Sequence, residues 1–341
     1  NHPETICIAA EANSQSGYGH IKRTLTLAAE LKDIFNIVFI LRKGDDAGLI
    51  PPEYRTVRIR SLSPEQVAKH TRPETGPLLI DTYKLDINDI GTISKKGYCI
   101  GLFEDGRRFR SYPVKLLIDS APGAERLNYS LSTGGLSCLG PDYYPLREEF
   151  TKAKGTRTNQ DGPNVLIIFG GSDPENQTER TAKLLESDLQ GVGLSIVTGP
   201  GYKRQIKTKS KSITIYKNPP NIAEIFAEAD IAISGAGGTA IELASMGVPS
   251  VLITLSEDQR QVAKGLDNAG AATSLGHYTE VTDEILINTV IRLINNQKLR
   301  EKMSIAGSKL IDGKGAERIA KAIEEVWNQH KKICHSRRCL R

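Results

Sequence analysis

Thr5-Ile6-Cys7-Ile8-Ala9-Ala10, then Ser16-Gly17-Tyr18-Gly19-His20-Ile21-Lys22-Arg23, then a helix-patterned run from Thr24 to Leu31, decide the first reading of this chain. An apolar strand ends in a glycine turn that opens directly onto a helix. Gly17 and Gly19 let backbone approach a ligand closely, and the start of a helix offers N–H groups with no partner inside the helix. His20 stands at that mouth, where an imidazole exchanges protons near neutral pH.

The same pattern continues outward. Apolar runs fall at Ile6–Ala10, Ile37–Leu41, Val57–Ile59, Leu78–Ile80, Cys99–Phe103 and Leu116–Ile118, with helix-like segments between several of them. The runs are continuous rather than alternating, which predicts strands buried on both faces of a parallel sheet wrapped by helices. Residues 151–163 are polar and aperiodic, end in Gly-Pro, and read as a linker. Beyond it the alternation restarts with strands at Val165–Phe169, Leu194–Val197, Ile213–Tyr216, Ile231–Ser234 and Val251–Leu255 and helices at Glu284–Ile294 and Ala316–Trp327. The expected fold is α/β, with two Rossmann-like domains facing across a cleft. The expected limits are 1–150 for the first domain, 164–315 for a nucleotide-binding second domain, and 316–341 for a terminal helix and basic tail.

With 341 residues the chain is long enough for two domains. The net charge is +5, and the tail from His330 to Arg341 alone holds Lys331, Lys332, Arg337, Arg338 and Arg341 with no acid. The excess is therefore local, which argues against a nucleic-acid binder and leaves weak contact of the tail with an anionic membrane surface. No apolar run approaches the roughly 20 residues of a membrane span, and no signal-peptide pattern precedes the first strand. The five cysteines are scattered, at 7, 99, 138, 334 and 339, which fits a reducing, cytoplasmic setting. Neither a metal nor a cofactor is expected.

Ser234-Gly235-Ala236-Gly237-Gly238-Thr239-Ala240-Ile241-Glu242 is a second strand-to-helix glycine turn. Its N–H groups at a positive helix end suit a diphosphate, and Glu242, one turn in, can accept hydrogen bonds from ribose hydroxyls. Gly-x-Gly-x-x-Gly spacing is absent, as is a Gly-Lys-Ser/Thr phosphate loop. Gly171 and Ser172, in the turn after Val165–Phe169, are read as part of the same nucleotide site. The stretch Asn218-Pro219-Pro220-Asn221-Ile222 is read as the lining of a base pocket through the backbone of Ile222. Asp81 and Tyr83 at the end of one strand, and Glu104 and Asp105 at the end of another, are candidates for placing a sugar hydroxyl or a water. Arg23, one helical turn past His20, is a candidate for the diphosphate or for pairing with Asp105.

Taken together these segments resemble the GT-B-type UDP-sugar enzymes, among them the N-acetylglucosaminyltransferase that makes lipid II. More closely they resemble the UDP-2,4-diacetamido-2,4,6-trideoxy-β-L-altropyranose hydrolases of pseudaminic acid biosynthesis. The likeness is carried by Gly17–Arg23, by Ile80-Asp81-Thr82-Tyr83, by Gly140–Phe150 and by Phe169-Gly170-Gly171-Ser172-Asp173, with Glu257-Asp258-Gln259 similar to that family's Asn-Gln pair. The resemblance implies metal-independent hydrolysis of a UDP-sugar at the anomeric carbon, with His20 as the base that activates water. It implies substrate contacts from Gly17, Gly19, Arg23, Asp81, Tyr83, Asp105, Asp258 and Gln259. The chain departs from the family's pattern at Thr82, where the family has His, and at Asp258, where it has Asn. At Asp258 a carboxylate cannot donate the hydrogen bond an amide can, and either departure points to a different sugar or to a glycosyltransferase. A non-catalytic nucleotide-sugar-binding protein is the third reading.

Overall fold

The computed structural model describes residues 4–13, 18–132, 134–155, 163–189, 191–208 and 212–339. The chain divides into two compact units, Asn1–Pro145 with Lys314–Arg341, and Leu146–Gly313.

In the first unit seven strands, β1 (Thr5–Ala10), β2 (Asn36–Arg42), β3 (Arg55–Ile59), β4 (Leu78–Asp81), β5 (Ile100–Phe103), β6 (Leu116–Asp119) and β7 (Leu136–Leu139), form a parallel sheet of order β3-β2-β1-β4-β5-β6-β7. The continuous apolar runs are explained by two cores. Ile6 and Ile8 of β1 join one, with Phe39, Phe103 and Trp327, while Cys7 and Ala9 join the other, with Ile40, Ile80 and Leu102. Alternate residues thus bury on opposite faces, as period-two geometry requires. The order reverses between β1 and β4, where the loops leave in opposite directions and open a crevice at the strands' carboxyl ends.

The second unit repeats the plan. Strands β8 (Asn164–Ile168), β9 (Gly193–Thr198), β10 (Ile213–Lys217), β11 (Ile231–Gly235), β12 (Ser250–Thr254) and β13 (Ala272–His277) form a parallel sheet of order β10-β9-β8-β11-β12-β13. Its switch point lies between β8 and β11, the two strands that lead into the second unit's glycine turns. β7 and β13 lie outside the apolar runs quoted above. Both are edge strands with mostly half-buried side chains, so neither needs the continuous apolar run that marks the central strands.

Two expected domain limits move. The stretch from Leu146, expected to close the first domain, belongs to the second unit. There the helix Glu148–Ala153, in place of the start of the linker, sets Phe150 against Phe226 with ring centroids 5.3 Å apart. Residues 156–162 of the expected linker lie outside the described residues. The C-terminal helix Gly315–Cys339 is not an appendage. Ile319, Ile323, Val326 and Trp327 complete the first unit's core. Trp327 Nε1 donates to Glu4 Oε2 at 2.7 Å, and Lys331, expected in a free basic tail, pairs with Glu4 Oε1 at 2.7 Å. Arg341 lies outside the described residues. Among the described residues no helix is long and apolar enough to cross a membrane.

Candidate functional site

The first unit's crevice gathers side chains from the ends of β1, β4 and β5. The helix Gly19–Leu31 starts just beyond β1 and carries His20 and Arg23 on one face, three residues apart. Asp81 ends β4 and lies opposite Ala10 of β1. His20 Nδ1 lies 2.6 Å from Asp81 Oδ1. Arg23 Nε donates to Asp81 Oδ2 at 2.7 Å and Arg23 Nη2 to Asp81 Oδ1. Arg23 Nη1 and Nη2 reach the two oxygens of Asp105 at 2.7 and 2.9 Å. Tyr83 closes the group: its hydroxyl donates to Asp105 Oδ2 at 2.7 Å, and its ring meets the His20 ring edge-on at 5.0 Å. Arg23 therefore spends its fork on two carboxylates rather than standing free for a diphosphate. Its guanidinium also lies 4.7 Å over the Phe103 ring.

Burial would push the Asp81 carboxyl up, but the charges and hydrogen bonds of Arg23 and His20 hold it well below its ordinary 3.8. Burial alone would lower His20; the Asp81 carboxylate outweighs it and raises the imidazole above its ordinary 6.5. In the neutral ring that donates Nδ1–H to Asp81, Nε2 carries the lone pair, and no hydrogen bond to Nε2 is found among the described residues. A buried carboxylate that orients an imidazole with its far nitrogen uncommitted is the arrangement of a general base.

Two acids form a supporting frame that sequence reasoning missed or misplaced. Glu11, 2% exposed just past β1, accepts from Thr82 Oγ1 and from Tyr83 N at 3.0 Å, so it fixes the turn between Asp81 and Tyr83. Glu104 was weighed as a ligand for sugar or water. It is instead buried, pairing through Oε1 with Arg108 and accepting from Asp105 N at 3.0 Å. Arg108 in turn stacks over Tyr83 at 4.6 Å. Gly19 is the helix's first residue, exposed, with open space where a Cβ would project. Gly17 lies outside the described residues.

In the second unit, Gly235 ends β11, Gly237 precedes the helix Gly238–Ser245, and no side chain caps that helix. Gln259 Oε1 accepts from Ala236 N at 3.2 Å and from Leu255 N at 3.0 Å, joining the turns after β11 and β12. Its amide nitrogen has no hydrogen bond among the described residues and lies 3.9 Å from where a Cβ on Gly237 would stand. Thr239 is half-buried in the first turn of that helix. Glu242 Oε1 accepts from Arg147 Nε at 2.8 Å.

The remaining expectations for this unit are met unevenly. Gly171 and Ser172 follow β8, but the helix beyond them, Gln177–Asp188, is closed by Asp173, whose oxygens accept from Gln177 N at 2.9 Å and Thr178 N at 2.7 Å. The Gly171 carbonyl accepts from Gly201 N at 2.8 Å. Ile222 N is already bonded to Glu149 Oε2 at 3.2 Å. Asp258 is exposed, makes no side-chain cap, and joins none of these groups.

Across 94% of this chain and 99% of MurG from Acinetobacter baumannii the two structures align with a TM-score of 0.61 at 16% identity. The fold is GT-B. Residues 165–324 of this GT-B chain match the glycosyltransferase family 28 C-terminal domain. Over 336 residues it is 25% identical to the spore coat polysaccharide biosynthesis protein SpsG of Bacillus subtilis, covering 95% of this chain and 99% of SpsG. It is 27% identical over 277 residues to an uncharacterized protein of Methanocaldococcus jannaschii, covering 75% of this chain and 57% of that protein, so it spans little more than half of that relative's length. The likeness to the hydrolase is narrower: 25% identity over 195 residues of a Helicobacter pylori pseudaminic acid cytidylyltransferase and UDP-2,4-diacetamido-2,4,6-trideoxy-β-L-altropyranose hydrolase, covering 57% of this chain and 36% of that protein. The glycosyltransferase reading therefore has broader support than the hydrolase expected from the resemblance.

Proposed function

We propose that this protein is a nucleotide-sugar glycosyltransferase of GT-B type acting in surface-glycan biosynthesis. The observation that carries the reading is the glycosyltransferase family 28 C-terminal domain over residues 165–324, whose span contains the glycine turn Gly235–Gly238 at the start of a helix. That turn binds the diphosphate of a UDP-sugar, with Thr239 and the amide nitrogen of Gln259 as further donors and Glu242 toward the ribose. His20, oriented by Asp81, takes the proton of the acceptor hydroxyl as its oxygen attacks the anomeric carbon and the diphosphate departs. A departing diphosphate is already a good leaving group, so positioning and one base suffice.

Incubation with UDP-sugars tests this: UDP release that rises steeply when an acceptor alcohol is added supports the transferase. The second reading is hydrolysis, favoured by the Helicobacter pylori match and by a His20–Asp81 pair equally able to activate water. It predicts full UDP release with no acceptor. In both readings His20→Ala abolishes release while UDP still binds. Turnover undiminished in that variant would remove His20 as the base. UDP binding with no release from any UDP-sugar would leave a binding protein.

A further inference from the structure

In the second unit a single arginine joins the element that carries Glu242 to the one that carries Ile222. Arg147 immediately precedes the helix Glu148–Ala153. Its Nε donates to Glu242 Oε1 at 2.8 Å, and its Nη1 donates to Glu149 Oε1. Glu149 passes the link on by accepting from Ile222 N at 3.2 Å through its other oxygen. The Arg147 guanidinium lies 4.7 Å over the ring of Phe150, which is fully buried and packed on Phe226. Two carboxylates and an aromatic face thus hold the guanidinium, whose rigid planar fork suits such bridging. Glu242 is only 8% exposed, Oε1 is committed to Arg147, and no hydrogen bond to Oε2 is found among the described residues.

A glutamate on a helix ordinarily samples several rotamers. This one is pinned by one oxygen, leaving the other as an acceptor of fixed direction. We infer that Arg147 is a positioning residue that sets ribose selectivity by aiming Glu242 Oε2 at a ribose hydroxyl. The inference rests on the reading that this unit binds a nucleoside diphosphate. The ligand class it implies is a ribonucleotide. A site built to bond a hydroxyl rejects an analogue lacking it, because the acceptor is then left buried and unpaired.

The test is calorimetric titration of the full chain with UDP, 2′-deoxy-UDP and UMP. The wild-type protein is expected to bind UDP about tenfold more tightly than 2′-deoxy-UDP. In Arg147→Ala that ratio falls to about twofold, because UDP weakens while 2′-deoxy-UDP hardly changes. The ratio of UDP to UMP, which reports the diphosphate turn, stays where it was. Arg147→Lys, which keeps the charge and the apolar stem but not the fork, gives an intermediate ratio and serves if the alanine variant does not fold. An unchanged ribose ratio in these variants, a wild type that does not discriminate, or parallel weakening of all three nucleotides overturns the inference alone. A wild type that binds no nucleotide overturns the nucleotide-sugar reading and this inference with it.

Discussion

Asp81→Asn removes one charge from a position 1% exposed on which His20 Nδ1 and Arg23 Nε and Nη2 converge. The substitution is nearly isosteric, but the new amide nitrogen faces a donor. Removing one partner of a buried ion pair costs about 3–5 kcal/mol. Arg23 retains Asp105 through two hydrogen bonds of 2.7 and 2.9 Å, so its charge is not orphaned and the lower end, about 3 kcal/mol, applies. The pH dependence follows from the two shifts. The Asp81 carboxyl is held below 3.8, so its contribution is complete above that pH and is lost as pH falls through the folded value. The His20 imidazole is raised above 6.5, so its contribution is complete below pH 6.5 and is lost as pH rises through the folded value. The gap between wild type and variant is therefore widest between pH 3.8 and 6.5 and narrows on both sides.

Urea unfolding followed by fluorescence measures this gap, since the chain's one tryptophan, Trp327, is buried in the same unit as the site. With a slope of about 2 kcal/mol/M the midpoint falls by about 1.5 M. Turnover gives a second readout. Without the carboxylate, burial prevails over His20, so the rising limb of the pH–rate profile moves to lower pH, and the plateau drops about a hundredfold or more. A variant within about 1 kcal/mol of wild type throughout that window, as an exposed pair would be, with its rising limb unmoved, would refute the coupling.

Two further predictions concern stability. Gly199→Ala places a Cβ 2.5 Å from both the Cα and the carbonyl oxygen of Gly171, where backbone cannot yield cheaply, and should cost about 1–3 kcal/mol in thermal unfolding; an unchanged midpoint would mean the two turns separate freely. Trp327→Ala empties a fully packed position and removes the donor to Glu4 Oε2, and should cost about 3–5 kcal/mol by circular dichroism. A loss below about 1 kcal/mol would show that the C-terminal helix is not integral to the first unit.

Much of the site was legible because its parts sit at strand ends, and strand ends are marked locally. Asp81 terminates an apolar run, Asp105 follows another, and His20 and Arg23 share a helix face by spacing alone. The resemblance singled out Gly140–Phe150 as a segment, which is where Arg147 and Glu149 lie. It did not show that they hold Glu242 and Ile222, because those partners are 95 and 73 residues away and no local pattern encodes such a pairing. Glu11 escaped for the same reason, its partner Thr82 being 71 residues distant. Ile222 shows the opposite failure: its N–H looked open, and it is bonded to Glu149.

The sequence by itself determined two parallel α/β sheets, because continuous apolar runs can be buried only between two layers of helices, and it determined two glycine turns at strand ends. Tertiary structure decided the strand orders that bring β1 beside β4 and β8 beside β11, the return of the C-terminal helix to the first unit, and the assignment of Leu146–Ala153 to the second. It also turned His20 from an isolated titratable side chain into one coupled to Asp81. Periodicity records which faces of an element are apolar. Which carboxylate meets which base depends on how distant elements pack, and that appears only when the chain has closed on itself.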